Sequence, residues 1–391
     1  MNYEVNYESI YCFAKVLEVG EGATARAGEI AIQLGCRRVM IVSDPVMKTL
    51  GQVDQLKSVV NQAGVEADVF TDTVPEPTEA SILPAVNKVI DGHYDGVIAL
   101  GGGSVIDSAK AIALLAEHQG RIRDYSVPNI VTSPIMPLIA IPTTAGTGSE
   151  VTKVTIITDE TNDEKLLCMG PGLIPSAAII DFTLTMTAPE RITADTGIDA
   201  LTHAIEAYVS GKSGLFTDQQ ALLAMKLIAP NLREAVNNPD NKDAKEQMML
   251  GATLAGIAFS NASVALVHGM SRPIGAHFHV PHGMSNAMLL PTVTEYSIPA
   301  AKTRYAECAR AMGVVDASNN DDDAVAALLL ELKQINQDLS VPSMSDFGID
   351  KQAFWSNLDI MSEQALASGS PNNNPRIPNK EEVIELYKAA W

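Results

Sequence analysis

Hydrophobic and polar positions change rhythm once along this chain. In the first half, short β-branched runs alternate with longer stretches of helical period: "VMIVS" (39–43), "ADVF" (67–70), "GVIAL" (96–100) and "PLIAI" (137–141) are separated by segments such as "EASILPAVNKVID". Near-continuous apolar strands joined by helical crossovers predict a parallel sheet covered on both faces. Ligands of such sheets collect beyond the carboxyl ends of the strands. Two further apolar runs, "VTIIT" (154–158) and "AAIID" (177–181), close this part, which is set at residues 1–184. Over 185–391 the periodicity turns helical, as in "TDQQALLAMKLIAPNLREAV" and "DDDAVAALLLELKQINQDL". The expected fold class is therefore an α/β domain with a parallel sheet, followed by an all-α domain. The stretch "ASGSPNNNPRIPN" (367–379) reads as a loop before a final helix.

Composition narrows what such a molecule does. At 391 residues the chain exceeds the length at which a single hydrophobic core keeps growing, which agrees with two domains. A formal charge of -20 repels phosphate backbones and anionic lipid, so neither nucleic acid nor a membrane surface is an expected partner. No apolar run reaches bilayer length, and "MNYEVNYESIYCF" has no basic segment followed by an apolar block, so a cytoplasmic location is expected. The four cysteines form no CxxC pair. Any metal would be held by nitrogen and oxygen ligands rather than thiolates.

Two glycine loops follow two of the predicted strands. In "GVIALGGGSVIDSAKAIALLA", Gly101, Gly102, Gly103 and Ser104 lead from a strand into a helix, whose first N–H groups and partial positive charge favour a diphosphate. In "IAIPTTAGTGSEVT", Thr143, Thr144 and Thr147 with Gly146 and Gly148 repeat the design with hydroxyls suited to phosphate or ribose. Neither loop satisfies GxGxxG, because Ile106 and Val151 take the third glycine position. One such loop reads equally well as a tight connection; two in one sheet point to ligand binding. Asp107, one turn into the first helix, reads first as a helix-start carboxylate, but it is placed to reach ribose or amide groups. Asp44 follows the "VMIVS" strand, where an acid bonds the adenosine ribose and repels a 2'-phosphate, favouring NAD over NADP. Before Pro45 it is also a ready helix N-cap.

In "TGIDALTHAIEAYVS" Asp199 and His203 lie four apart and share a helix face with Asp195 and Glu206, opposite Ile198, Leu201, Ile205 and Tyr208. Alone, that is the solvated stripe of an amphipathic helix. Seventy residues on, "ASVALVHGMSRPIGAHFHVPHGMSNAMLLP" places His268, His277, His279 and His282 in an otherwise apolar region. A carboxylate with two or three neutral imidazoles suits divalent iron or zinc and leaves a position for substrate. Spacing does not choose among the four histidines.

Together these segments closely resemble the iron-containing alcohol dehydrogenase family, a group related in fold to glycerol dehydrogenase and dehydroquinate synthase. "GGGSVIDSAKAIAL", "PTTAGTGSEVT", "GIDALTHAIEAY", "VHGMSRPIGAHFHVPHG" and "NNNPR" occur in the family's order over nearly the whole chain. The resemblance implies a dinucleotide-binding N-terminal domain and a metal- and substrate-binding C-terminal domain. The implied metal ligands are Asp199, His203, His268 and His282, with His277 and His279 lining the site or supporting the ligands. The implied nucleotide contacts are Asp44, Gly101 to Ser104, Thr143, Thr144 and Thr147, with Lys165 and Leu184 near the nicotinamide half. Lys165 by itself reads as a solvated lysine. The implied activity is reversible, NAD-dependent oxidation of a small primary alcohol to its aldehyde with a divalent metal, iron(II) ahead of zinc, in a homodimer or larger oligomer.

The chain departs from the family at Arg272, four residues after His268, where many members carry another histidine. An arginine stays protonated, so it orients an oxygen or carboxylate without relaying protons, or else pairs with a nearby acid. Two competing functions remain: an NAD-using lyase or cyclase of the dehydroquinate synthase type, and a non-catalytic metal or nucleotide binder.

Overall fold

The computed structural model describes residues 10–161 and 164–391; the first nine residues of the N-terminal stretch considered above for a leader lie outside the described residues. The chain divides into two compact units, Ile10–Met186 and Thr187–Trp391.

In the first unit the predicted apolar runs become β2 (Arg38–Ser43), β3 (Glu66–Phe70), β4 (Gly96–Gly101), β5 (Leu138–Pro142) and β8 (Ala177–Ile180), joined at one edge by β1 (Val16–Val19). They form one parallel sheet in the order β1-β8-β5-β4-β2-β3. Alternate residues feed two separate cores. Val39 and Ile41 of β2, Ile98 and Leu100 of β4 and Ile139 and Ile141 of β5 pack with helices α1 (Ala27–Gln33) and α3 (Gln52–Gln62), just after the short α2 (Pro45–Thr49). Met40, Val42, Val97, Ala99, Leu138 and Ala140 face the other way, onto α4 (Glu79–Asp91), α5 (Gly103–His118) and α6 (Ile122–Tyr125). Burial on both faces is why these strands read as unbroken apolar runs.

Three strands differ from expectation. β6 (Val154–Asp159) stays out of the parallel sheet and pairs antiparallel with β7 (Glu164–Met169), whose charged start hides it in the sequence. β6 buries alternate residues only, unlike β4 and β5, which are buried throughout. β1 alternates half-buried and exposed positions over four residues, too short a run to register as a strand.

The second unit is helical: α7 (Glu190–Val209), α8 (Leu215–Asn237), α9 (Lys242–Ala262), α10 (Leu266–Phe278), α11 (His282–Ser297), α12 (Lys302–Ala311), α13 (Asp321–Asp338), α14 (Lys351–Ala367) and α15 (Lys380–Ala389). The predicted late loop carries one 3-10 turn, Ser370–Asn373. Among the described residues no single helix is long and apolar enough to cross a membrane. α7 packs against α8, α9 and α11 and is buried on both of its faces. Its polar stripe of Asp195, Asp199, His203 and Glu206 is therefore interior, not solvated. A buried charged stripe has to be paired or bound to something.

Candidate functional site

Asp199 sits mid-way along α7, buried among the helices. Its Oδ1 is 3.4 Å from His268 Nε2 and 3.8 Å from His282 Nε2. One oxygen and two imidazole nitrogens, from three different helices, lie within 4.8 Å of one another. His268 comes from the first turn of α10, and His282 is the first residue of α11. That second placement depends on Gly283, where an added Cβ would meet the Asp195 carbonyl oxygen of α7 at 2.3 Å. His203, one turn beyond Asp199, is adjacent to this trio. Its Nδ1 is 3.9 Å from Asp199 Oδ2, and its ring is stacked with Phe259 at 4.2 Å and His268 at 4.4 Å between centroids.

Burial by itself would push the Asp199 carboxyl up, but the imidazoles of His203, His282 and His268 hold it far below the usual carboxylate range. Burial likewise opposes protonation of His268, yet its bonds to Asp199 and Glu206 raise it to about 9. The cluster is thus strongly polarised: a firmly ionised carboxylate favours the positive, protonated form of the imidazole beside it.

Two residues that sequence reasoning left without a role complete the cluster. Asn286, one turn after His282 on α11, places Nδ2 2.7 Å from Asp199 Oδ1, 3.1 Å from His268 Nε2 and 3.3 Å from His282 Nε2. Among the described residues its Oδ1 is buried without a hydrogen-bond partner. Glu206 accepts from Ala265 N, Val267 N and His268 Nδ1. Both stood in view at helical spacing from a proposed ligand, Glu206 at i+3 from His203 and Asn286 at i+4 from His282.

Arg272 lies one turn beyond His268, half-buried, with one weak polar contact to Ser370 Oγ at 3.3 Å. Burial pulls its pKa down, with Glu206 opposing. His277 and His279 are not brought into the cluster. His277 Nε2 meets Gln364 Oε1 at 2.8 Å, and His279 is the exposed residue that ends α10 at φ +55°.

In the other unit, β2, β4 and β5 are neighbours, and each delivers sequence-predicted residues at its carboxyl end: Asp44, Gly101 to Ser104, and Thr143 to Thr147. Chain connections leave β2 and β4 toward opposite sides of the sheet, the kind of switch point at which nucleotides bind. The two glycine loops lie against each other. Thr143 N donates to Gly101 O, and a Cβ on Gly103 would meet Thr147 Cγ2 at 2.8 Å. Glycine at 103 is required by the chain's own packing as well as by any close ligand. Asp44 caps α2 through Val46 N and Met47 N using one oxygen, Oδ1.

Asp107 is turned into the fold, accepting from Ser149 Oγ at 2.7 Å and, more weakly, from Ile156 N at 3.4 Å. Burial raises its pKa, with Lys110, Ser149 and Ile156 acting the other way. Lys165, on β7, pairs with Glu76 at 3.2 Å and is 38% exposed. Leu184 packs beside the core on the α1 and α3 face.

The family model described as iron-containing alcohol dehydrogenase matches residues 15–182, and its C-terminal companion matches residues 193–391. The chain belongs to the iron-containing alcohol dehydrogenase family. It is 38% identical over 385 residues to the long-chain-alcohol dehydrogenase 1 of Geobacillus thermodenitrificans, covering 97% of this chain and 96% of that one. It is 33% identical to the 1,3-propanediol dehydrogenase of Citrobacter freundii, covering 97% and 98%. A crystal structure of a 1,3-propanediol oxidoreductase superposes with a TM-score of 0.94 at 33% identity, covering 98% of this chain and 100% of the other.

Members of this dehydrogenase family are oxidoreductases that use a nicotinamide nucleotide and a divalent metal. The residues present fit such a metal: a carboxylate oxygen and imidazole nitrogens converge on the spot where the Asn286 N–H already places partial positive charge. The orphaned Asn286 Oδ1 beside them marks a polar network that protein groups alone leave incomplete.

Proposed function

We propose that this alcohol dehydrogenase interconverts a short primary alcohol and its aldehyde with NAD(H), NADP(H) being disfavoured, and that Asp199, His203, His268 and His282 hold its divalent metal, iron(II) in preference to zinc. The observation that carries this reading is the convergence of Asp199, His268 and His282 from three helices, the first two buried and His282 at the exposed side of the cluster. Held by these residues, a divalent metal would supply polarisation of the alcohol oxygen, and a bound nicotinamide would supply hydride acceptance, chemistry that amino-acid side chains do not provide.

The chain's own groups bind and orient. The loops at Gly101 to Ser104 and at Thr143, Thr144 and Thr147 cradle the diphosphate and ribose, with N–H groups of the first turn of α5 toward the phosphates. Asp107 acts from behind, holding the second loop through Ser149. Asp44 has its second oxygen for the adenosine ribose, since the cap uses only Oδ1. Lys165 and Leu184 belong to the nicotinamide half. Arg272 orients a substrate oxygen or carboxylate and remains protonated throughout. A homodimer or larger assembly in the cytoplasm belongs to the same reading.

The lyase alternative requires several cations around a phosphorylated acid, and residues 264–286 contain Arg272 as their only lysine or arginine. The test is an anaerobically iron-loaded sample assayed with short aliphatic aldehydes and with NADH and NADPH side by side. NADH oxidation is expected, and His268→Ala removes both metal and activity. A metal-loaded protein inert toward every aldehyde would reject the reading, and unchanged metal content in His268→Ala would take that residue out of the ligand set.

A further inference from the structure

We infer that Glu206 is the positioning residue of the metal centre: from α7 it caps the start of α10 and, through the same carboxylate, turns His268 so that Nε2 faces Asp199. The inference rests on the metal reading above.

Glu206 lies two turns along α7 from Asp199, buried. Its Oε1 accepts from Val267 N at 2.6 Å, and its Oε2 accepts from both Ala265 N at 2.9 Å and His268 Nδ1 at 2.7 Å. The first N–H groups of a helix have no partner within the helix. Here the residue before α10, Ala265, offers no side-chain cap, and the chain reaches it through Ser263 in the left-handed region at φ +69°. A carboxylate borrowed from α7 supplies the missing acceptor and meets the positive end of the α10 dipole. It thereby fixes the height of α10 against α7.

The same oxygen fixes the imidazole. With both oxygens of Glu206 accepting backbone N–H groups, His268 Nδ1 is the donor in the contact to Oε2. The nitrogen that remains for the cluster is Nε2, 3.4 Å from Asp199 Oδ1 and 3.1 Å from Asn286 Nδ2. The ring plane is held from the side by stacking on His203. Helix position and ring rotation are thus set by one group, which is how a supporting carboxylate orients a histidine ligand and raises its basicity.

The experiment compares wild type, Glu206→Gln and Glu206→Asp in the full-length protein, using zinc and cobalt(II) as probes. Affinity is read by competition with a chelator, geometry by the visible absorption of the cobalt(II) form, and folding by thermal denaturation. Glu206→Gln confronts backbone N–H groups with an amide that cannot accept at both ends. It is expected to weaken metal binding by about 10- to 100-fold and to change the cobalt(II) band. Glu206→Asp, keeping the charge but withdrawn by one carbon, is expected to fall between the two, and it decides the matter should the glutamine variant fail to fold. Wild-type affinity and an unchanged cobalt(II) band in these variants, even with lowered thermal stability, would reduce Glu206 to a helix cap and overturn the inference. A wild-type protein that binds neither metal overturns the metal reading itself, a different result.

Discussion

The Asn286 side-chain nitrogen lies 2.7 Å from Asp199 Oδ1, a bond that joins the first turns of α11 to the middle of α7 at the point where two imidazole nitrogens also converge. Asn286 thus holds the Asp199 carboxylate and faces the imidazoles from the same atom. Asn286→Ala should lower metal retention by about tenfold while leaving the helices folded, because supporting partners of this kind are worth that much in affinity. Metal content after dialysis against a chelator measures it. Full retention would make Asn286 a packing residue only.

His203 is the fourth member of the proposed ligand set. Its ring stacks between Phe259 and His268, and its Nδ1 is 3.9 Å from Asp199 Oδ2, an arrangement compatible with ligation after a small rotation or with stacking alone. As a ligand, His203→Phe should keep the stack and thermal stability but lose metal. Metal stoichiometry near one in a stable His203→Phe protein would remove His203 from the ligand set.

Asp44 couples two jobs that a substitution can separate. Asp44→Ser keeps an N-cap oxygen for α2, at a cost of well under about 1 kcal/mol, while removing the charge that disfavours a 2'-phosphate. The ratio of kcat/KM for NADH over NADPH should fall at least about tenfold with little change in melting temperature. An unchanged ratio would leave Asp44 as a cap alone.

Lys110 is buried on α5 and donates to Thr152 O, Thr152 Oγ1 and Val154 O, tying α5 to the segment after the second glycine loop. Burial pulls its pKa down to about 8, against Asp107 and Glu150. Lys110→Met strands those acceptors and should cost at least about 2 kcal/mol at pH 7. Between about pH 8 and the ordinary lysine value of 10.5, the unfolded chain binds a proton that the folded chain has lost. Stability contributed by this group therefore rises with pH across that window and is constant below it. The wild-type advantage over Lys110→Met, measured by urea denaturation, should widen by up to roughly 3 kcal/mol from pH 8 to 10.5. A gap that narrows would contradict the buried, depressed lysine.

Sequence by itself determined the parallel sheet, the helical second unit and the types of residue that form the site. Strands buried on both faces must be written as continuous apolar runs, and β2, β4 and β5 were legible for that reason. β1 and β7 were not: one is four residues long and half exposed, and the other opens with Glu164 and Lys165. The carboxylate and histidines of the cluster were visible as types, because acids and imidazoles in apolar surroundings require partners. Which histidines gather around Asp199 was open from spacing, and the resemblance supplied the choice.

Only the tertiary structure decided that the stripe on α7 faces inward and that Glu206 reaches the start of α10. It also decided that His277 turns to Gln364 and that Asp107 points at Ser149 instead of outward. Helical period tells which residues share a face but not what that face meets, because the partner lies on another helix tens of residues away. Contacts such as Gly283 on the Asp195 carbonyl, which set the approach of α11 to α7, exist only once the chain has packed.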